Sequence, residues 1–384
     1  MEKLIVRKGR EASLLRFHRW VFSGALMPHE PLSDGCPVEI YSHHNQFLAW
    51  GYYNIGSIAV RILGFSQTKH PEEEIIKLLQ SAFSMRQNAG FICQNDTNAY
   101  RLVHGEGDGL PGLIIDIYNQ HAVIQIHHPG IECYLDSIVN SIDLLFNQQL
   151  QTIVVKSIRQ PKTWRYAKGN TSSAWIIENG LDFHVDWEKG QKTGFFIDQR
   201  DNRKCLMKYA KNRIVLNTFC YTGGFSVYAA KGGAQEVHSL DSSAWAIEQT
   251  QINMQKNGFE CPSEWLLCND AIPFLQKHSG AYDLIVLDPP AFAKSMQARH
   301  NAIQAYKRIN LAALKIIREG GILFTFSCSQ VIDSHVFRQT VYAAALESRR
   351  NIRVLHTLSQ PADHPVNIFH PETEYLKGMV LFVE

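Results

Sequence analysis

The chain has 384 residues and a formal net charge of +2, with 45% hydrophobic and 19% charged residues. This composition is typical of a globular protein with two or three domains, and it excludes an intrinsically disordered chain. The small net charge neither requires nor excludes a nucleic-acid partner, because the total conceals where the charges lie. No run of about 18 apolar residues occurs and the N-terminus lacks a signal-peptide pattern, so we expect a cytoplasmic protein with no membrane segment.

Residues 1–70 predict a small β barrel with a basic surface. Short apolar runs separated by turns occur at 4–6, 38–41, 48–53 and 59–63, which is the pattern of short strands. Eight Lys and Arg residues stand against five acids in this region. Lys8, Arg10 and Arg19 are therefore candidate RNA contacts, although a basic loop that is merely solvated has the same composition.

Residues 71–189 predict a second domain of mixed α/β (α+β) type. After Pro71, three glutamates and an apolar periodicity predict an amphipathic helix. A hairpin is predicted across Asn119 and Gln120, followed by a helix over 134–146 and strands at 152–156 and 181–185. The run 159–168 is basic and aromatic, and it is a second candidate surface for RNA.

Residues 190–384 predict a Rossmann-like α/β domain. Helical stretches alternate with apolar strands, which are predicted at 214–216, 236–240, 265–268, 284–287 and 322–324. This alternation predicts a parallel sheet, in which the carboxyl ends of neighbouring strands meet at one edge.

Small and acidic residues follow the first four of these strands in order. A glycine pair alone is also a simple tight turn, and an acid alone is also a helix N-cap. Together, a glycine turn, two successive acids and Asp-Pro-Pro favour an S-adenosylmethionine site over a dinucleotide site. The candidate cofactor residues from this pattern are Thr222, Gly223, Gly224, Phe225, Asp241, Asp270, Asp288 and Pro289.

Cys328 follows the fifth predicted strand, about 40 residues after Asp288. The eight cysteines include no C-x-x-C pair and no metal-ligand spacing, so we expect reduced thiols and no bound metal. A thiol at this position is either a buried strand-end side chain or a nucleophile. Its place in a polar turn beside Asp-Pro-Pro favours the nucleophile.

The same residues, together with longer runs, resemble the bacterial RNA cytosine-5 methyltransferases that carry an N-terminal PUA domain, a family typified by the large-subunit 23S rRNA (cytosine-1962-C5) methyltransferase. The resemblance extends over nearly the whole chain. Its most specific motifs are Lys192-Thr193-Gly194-Phe195-Phe196-Ile197-Asp198-Gln199-Arg200 and Ser327-Cys328-Ser329. Further matching segments lie at 8–11, 18–25, 101–112, 221–225, 288–290, 362–366 and 375–378.

The resemblance implies a PUA domain over 1–70, a linking α/β domain over 71–189 and a Rossmann-like methyltransferase domain over 190–384. It also implies that the Lys192–Arg200 motif lies over the methyl donor or the entering base. Phe195, Asp198 and Gln199 are thereby added to the cofactor candidates, and Lys192, Arg200 and Phe292 to the RNA contacts. The implied partner is 23S rRNA or a large-subunit precursor, and a homodimer is one option for the oligomeric state.

Methylation at C5 of cytosine needs a nucleophile, because that carbon is barely nucleophilic itself. We expect Cys328 to add to C6 and Asp288 to stabilise the adduct at N3, while Phe292 or Phe195 stacks on an extruded base. Many RNA cytosine-5 enzymes carry a second cysteine in an Asp-Ala-Pro-Cys motif, where this chain has Ala291. The resembling family also lacks it, and the base that removes the C5 proton stays unassigned.

Two other functions fit parts of the pattern. Asp-Pro-Pro-aromatic also suits S-adenosylmethionine-dependent methylation of a guanine or adenine nitrogen in rRNA, which needs no thiol. The third option is a catalytically inactive RNA-binding assembly factor. The intact glycine turn, acids and thiol argue against it.

Overall fold

The computed structural model describes residues 1–92, 95–157, 163–277, 282–293 and 295–384. Cys93 and the basic residues Arg159 and Lys162 lie outside the described residues. The chain forms two compact units. The first unit comprises Met1–Ile177, Val185–Phe195 and Ala362–Thr373, and the second comprises Glu178–His184, Phe196–Pro361 and Glu374–Glu384.

The first unit begins with a five-stranded sheet in the order β1-β3-β4-β5-β2. Strands β1 and β3 are parallel, whereas the other neighbours are antiparallel. Alternating apolar residues of these strands fill a core of their own. The elements are β1 (Glu2–Ile5), α1 (Ala12–Leu15), β2 (Trp20–Phe22), β3 (Pro37–Tyr41), β4 (Phe47–Tyr53) and β5 (Ile58–Gly64).

A second five-stranded sheet of the first unit has the order β10-β9-β8-β7-β6. The predicted hairpin is confirmed, with Tyr118 paired to His121 and Asn119 in the left-handed region at a φ of 56°. The elements are α2 (Pro71–Asn88), β6 (Ala99–His104), β7 (Leu113–Tyr118), β8 (His121–Ile126), α3 (Pro129–Glu132), α4 (Leu135–Leu145), β9 (Thr152–Ser157) and β10 (Thr163–Lys168). A separate two-stranded sheet joins β11 (Ser173–Glu178) to β12 (Leu181–Asp186).

The second unit is built on a seven-stranded sheet in the order β15-β14-β13-β16-β17-β19-β18. Its strands are β13 (Ile214–Thr218), β14 (Glu236–Asp241), β15 (Leu266–Cys268), β16 (Tyr282–Leu287), β17 (Ile317–Ser327), β18 (Ile352–Leu358) and β19 (Lys377–Val383). Strands β13 to β17 are parallel, and β19 is antiparallel to both of its neighbours. The strand order reverses between β13 and β16, which is where open α/β sheets bind ligands beyond the strand ends.

Helices α5 to α10 alternate with these strands, so the predicted Rossmann-like fold is confirmed. They are α5 (Arg200–Met207), α6 (Gly224–Lys231), α7 (Ala244–Lys256), α8 (Ala271–Lys277), α9 (Arg299–Ile316) and α10 (Ser334–Ser348). Apolar side chains of β16, β17, α9 and α10 form one core, which includes Tyr306, Phe337 and Leu323. In the part of the chain that the structure describes, no helix has the length and apolarity needed to cross a membrane.

A buried ion pair fixes the segment that enters α5. Both oxygens of Glu178 accept from Arg203, at 2.8 Å from Nε and 2.7 Å from Nη2, and both side chains are almost fully buried. The remaining nitrogen, Nη1 of Arg203, donates to the carbonyl of Phe196 at 2.9 Å. The guanidinium thereby ties the start of the second unit to α5.

We expect Glu178→Gln to lower the free energy of unfolding by about 3 kcal/mol, because it leaves the buried charge of Arg203 without its counter-ion. Chemical denaturation of the full chain measures this change. The matched control is Glu74→Gln, which breaks the exposed Lys77–Glu74 pair and is expected to cost less than about 0.5 kcal/mol. A loss no greater than that of the control would contradict the stabilising role of the buried pair.

Candidate active site

The turn after β13 has an unusual backbone. Phe219, Tyr221 and Gly223 all lie in the left-handed region, with φ angles of 56°, 48° and 79°. A positive φ is costly for aromatic residues, and such strain clusters at functional sites. The turn is held by contacts with α7, since Thr250 Oγ1 donates to the carbonyl of Tyr221 at 3.0 Å and Asn253 Nδ2 to that of Thr222 at 2.8 Å.

Gly223 is required at its position for two reasons. Its φ of +79° favours glycine, and a Cβ there would lie only 2.6 Å from Cγ2 of Thr250. A Cβ on Gly224 would lie 3.1 Å from Cδ of Arg203. The small residues thus allow close packing of the turn, and α6 begins directly after Gly223.

Thr222 carries a buried hydroxyl that lacks a hydrogen-bond partner among the described residues, although the residue is only 2% exposed. Buried polar groups are nearly always paired, so such a group calls for an explanation. A ligand atom in the turn would supply the missing partner. This observation fits a bound S-adenosylmethionine molecule at the predicted position.

The predicted acids occupy the carboxyl edge of the sheet. Asp241 accepts from the backbone N–H of Tyr221 through one oxygen and from that of Ser243 through the other, both at 2.9 Å. A carboxylate has about four lone-pair sites, so it can still accept from ribose hydroxyls. Asp270 follows β15 and is exposed, and the carbonyl of Asp241 accepts from the N–H of Asn269 at 3.0 Å.

The Asp198–Arg200 segment is buried in the second unit. Tyr375 Oη donates to Asp198 Oδ2 at 2.6 Å, and Asn202 Nδ2 donates to Gln199 Oε1 at 2.6 Å. Arg200 has its Nε 3.8 Å from Glu178 Oε2 and is only 4% exposed. These contacts hold the three side chains in place, and their roles toward the cofactor or RNA stay predictions.

The ends of β16 and β17 bring the thiol to the Asp-Pro-Pro turn. The strands are parallel, as the sequence predicts, and Leu287 lies opposite Thr325. Sγ of Cys328 lies 3.9 Å from the carbonyl oxygen of Pro289. Cys328 and Asp288 are both half-buried, so neither is sealed in the core.

Aromatic and hydroxyl groups pack behind the thiol. Tyr306 Oη lies 3.0 Å from Ser329 Oγ, which also accepts from the N–H of Ala293 at 3.5 Å. Phe292 packs against Tyr306 with ring centroids 4.7 Å apart. Phe225, in turn, packs against Phe326 at 5.6 Å and is 6% exposed. These aromatic contacts therefore lie around the ends of β16 and β17.

Lys377 is a neighbour of the thiol that the sequence did not single out as a site residue. Its Nζ donates to the carbonyls of Ser329 at 2.8 Å and Tyr375 at 2.7 Å, and the residue is 5% exposed. Burial lowers the pKa of Lys377 to about 8, against an opposing contribution from the charge of Cys328. The sequence feature that could have identified Lys377 is its place in the run Tyr375-Leu376-Lys377-Gly378, directly before an apolar segment.

The other candidates lie in the first unit. Lys8, Arg10 and Lys192 are exposed, as RNA contacts would be. Arg19 is half-buried, and its Nη1 donates to the carbonyls of Ile62 at 3.1 Å and Leu63 at 3.2 Å. Burial lowers the pKa of Arg19, and its guanidinium braces the first sheet. Its role toward RNA stays a prediction.

Phe195 is held by a buried network of the first unit. Arg101 forms a two-pronged ion pair with Asp116, at 2.8 Å from Nε and 2.9 Å from Nη2. Thr193 Oγ1 donates to Asp116 Oδ2 at 2.6 Å, and Tyr118 Oη donates to the carbonyl of Phe195 at 3.3 Å. The segment around Thr193 is therefore anchored rather than a loose loop.

Comparison with known proteins gives the family. Residues 139–366 match the model of the S-adenosylmethionine-dependent methyltransferases, and residues 4–65 match a PUA-like domain. The ribosomal RNA large subunit methyltransferase I of Aeromonas hydrophila is 36% identical over 97% of both chains. The Escherichia coli protein of that name is 35% identical over 98% of both. The chain belongs to this methyltransferase family.

Solved structures agree with that assignment. A candidate S-adenosylmethionine-dependent methyltransferase from Streptococcus mutans superposes with a TM-score of 0.88 at 25% identity, over 100% of both chains. A second structure, of SMU.776 complexed with S-adenosylhomocysteine (SAH), has a TM-score of 0.87 at 24% identity and shows the same fold. The expected PUA-like domain, methyltransferase fold and S-adenosylmethionine dependence are thus confirmed.

We expect Thr222→Val to weaken SAH binding about tenfold, because the buried hydroxyl would lose its ligand partner. Isothermal titration calorimetry of the purified chain measures the affinity. The matched control is Thr325→Val, which removes another buried hydroxyl without a partner among the described residues, on β17 and not in the turn after β13. Equal affinities of the two variants would remove Thr222 from the cofactor site.

Proposed function

We propose that this methyltransferase forms 5-methylcytosine in 23S rRNA through a transient covalent bond between Cys328 and C6 of the base. The observation that carries the proposal is the half-buried thiol 3.9 Å from the Pro289 carbonyl, where two adjacent parallel strands end. The rRNA substrate is suggested by the relatives, which are ribosomal RNA large subunit methyltransferases. Nitrogen methylation would give this thiol no role.

The chemistry explains why a thiol is needed. The Cys328 thiolate adds to C6, and the electron pair of the C5–C6 bond makes C5 nucleophilic. S-adenosylmethionine, when bound, supplies the electrophilic methyl group that C5 takes up. Loss of the C5 proton to a base, with breaking of the sulfur–C6 bond, then restores the aromatic ring and the thiolate.

Asp288 is proposed to stabilise the adduct. It follows β16 directly and is half-buried beside the turn that contacts Cys328. A protonated carboxyl group at this position can donate a hydrogen bond to N3 of cytosine, where electron density accumulates after thiolate addition. Pro289 and Pro290 stiffen the turn because their φ angles are fixed by the ring.

The cofactor is proposed to lie along the carboxyl edge of β13, β14, β15 and β16. Thr222, Gly223 and Gly224 would contact it through the turn, while Asp241 would accept from the ribose hydroxyls. The buried hydroxyl of Thr222, which has no hydrogen-bond partner among the described residues, supports this position. The remaining proposed contacts are Asp270, Asp288, Pro289, Phe225, Phe195, Asp198 and Gln199.

RNA contacts are proposed at the basic residues Lys8, Arg10 and Arg19 of the PUA-like domain and at Lys192, Arg200 and Phe292. Lys8, Arg10 and Lys192 are exposed cations that can neutralise phosphates. Arg19, Arg200 and Phe292 are more enclosed, and their part in RNA binding would be to shape the surface or to face the extruded base. Cytoplasmic location and a homodimer stay predictions.

We expect Cys328→Ala to reduce methylation of 23S rRNA by at least about 1,000-fold, because the nucleophile is lost. SAH affinity should stay within about twofold of the parent, since the thiol makes no cofactor contact in this mechanism. Transfer of a labelled methyl group to 23S rRNA from cells lacking this gene is the assay. The matched control is Cys133→Ala, which removes an exposed thiol of the first unit and should leave the rate unchanged.

Two further measurements distinguish the alternatives. RNA containing 5-fluorocytosine should become covalently bound to the parent protein but not to Cys328→Ala, because fluorine at C5 prevents release. Nucleoside mass spectrometry should find 5-methylcytosine. A product methylated on a guanine or adenine nitrogen, together with full activity of Cys328→Ala, would overturn the proposal. An inactive assembly factor would bind SAH weakly or yield no methylated product.

A further inference from the structure

We propose that the Lys377 ammonium is a positioning group that stabilises the thiolate of Cys328, an inference that rests on the proposed function. Lys377 would act through the thiol and need not touch the base.

The backbone fixes where the lysine side chain begins. Lys377 lies opposite Ser327 in the antiparallel pairing of β19 with β17, and Gly378 lies opposite Phe326. A Cβ on Gly378 would lie 2.5 Å from the Phe326 ring, so the two strands can approach each other here only with glycine. Lys377 is therefore held one residue away from the strand end that carries Cys328.

Two hydrogen bonds hold the ammonium against the backbone that follows Cys328. Nζ donates to the carbonyl of Ser329, the residue after Cys328, at 2.8 Å, and to the carbonyl of Tyr375 at 2.7 Å. An ammonium has three donors, so one remains after these two bonds. Among the described residues, no carboxylate lies within 4.0 Å of this nitrogen. The positive charge is thus buried against neutral carbonyls, without a contacting counter-ion.

The surrounding charges leave the thiol as the main electrostatic partner. Burial has the largest effect on the pKa of Lys377 and lowers it. Negative charges oppose this effect by raising the pKa, and that of Cys328 contributes most, ahead of those of Glu374 and Asp333. Glu374 is exposed, and Asp333 Oδ1 accepts from the N–H of Val336 at 2.8 Å. Tyr306 from α9 is a further titratable group whose electrostatics involve Cys328. Asp288 follows the neighbouring strand β16 and is half-buried.

An ammonium in this position favours the ionised thiol. A neighbouring cation lowers the pKa of a cysteine, and the effect is larger where water is excluded. The same pairing works in reverse, since a thiolate helps the buried lysine to keep its proton. Because the pKa of Lys377 is lowered to about 8, its support for the thiolate is lost as the pH rises through that value.

The test measures thiol ionisation without RNA. Iodoacetamide reacts with thiolates, and peptide mass spectrometry gives the alkylation rate of Cys328 and of the exposed Cys268 in the same sample from pH 6 to 10. In the parent protein, the midpoint for Cys328 should lie at least one pH unit below that for Cys268, which corresponds to about tenfold more thiolate at low pH. Lys377→Met should raise the alkylation midpoint of Cys328 by at least one pH unit. Lys377→Arg keeps a positive charge, so its midpoint should stay close to that of the parent protein.

Lys315→Met is the matched control, because Lys315 is an exposed lysine on α9. It should leave both midpoints unchanged. The proposal is overturned if Cys328 in the parent protein titrates at or above Cys268, or if Lys377→Met leaves its midpoint in place. The first comparison requires no substitution, so it decides against the proposal even where a variant fails to fold.

The outcome is separable from that of the proposed function. Shifted thiol ionisation with a nitrogen-methylated product would refute the cytosine chemistry and leave the lysine–thiol pairing intact. Unshifted ionisation with Cys328-dependent formation of 5-methylcytosine would refute only the role of Lys377. A purely structural lysine would alter stability in Lys377→Met without moving the alkylation midpoint of Cys328.

Discussion

The parallel pairing of β16 with β17 is the constraint on which the candidate site depends. Leu287 lies opposite Thr325, so the segments that follow β16 and β17 leave the sheet side by side. Sγ of Cys328 then lies 3.9 Å from the Pro289 carbonyl oxygen. A shift of one residue would turn the following side chains to the opposite face. The apolar core beneath these strands fixes the register, so core packing determines the geometry of the candidate site.

The cofactor side of the sheet is fixed by polar contacts rather than by apolar packing alone. Asp241 joins the turn after β13 to the start of α7 through two backbone N–H groups, and Thr250 and Asn253 hold the same turn from the helix. Such bonds keep an energetically costly backbone in one conformation. The turn is therefore shaped before any ligand binds, which lowers the conformational cost of binding.

Much of this arrangement could be predicted from the sequence, because it follows from strong local patterns. The apolar runs that become β13 to β17 are short and bounded by polar turns, and βα alternation then dictates a parallel sheet. Strands β2, β6, β10, β11, β18 and β19 were not predicted. Strand β2 is only three residues long, and β18 has an exposed middle that weakens its apolar signal.

Lys377 shows why part of the site could not be predicted. Its proximity to Cys328 depends on an antiparallel strand inserted between β17 and β18, and chain order does not reveal that insertion. The same holds for Tyr375, whose hydroxyl reaches Asp198 across 177 positions of sequence. The spacing of motifs predicts which side chains follow successive parallel strands. The contacts of Lys377 and Tyr375 depend instead on the order of the strands in the sheet, which the spacing does not contain.

The insertion of β19 between β17 and β18 also affects the order of events during synthesis. Strand β18 leaves the ribosome before its neighbour exists, and β17 meanwhile exposes the edge that β19 will cover. Unpaired strand edges are prone to wrong pairing, so this interval is a natural point for chaperone protection. Lys377 takes its place near the Cys328 segment only once β19 has paired with β17, so this part of the candidate site forms together with that pairing.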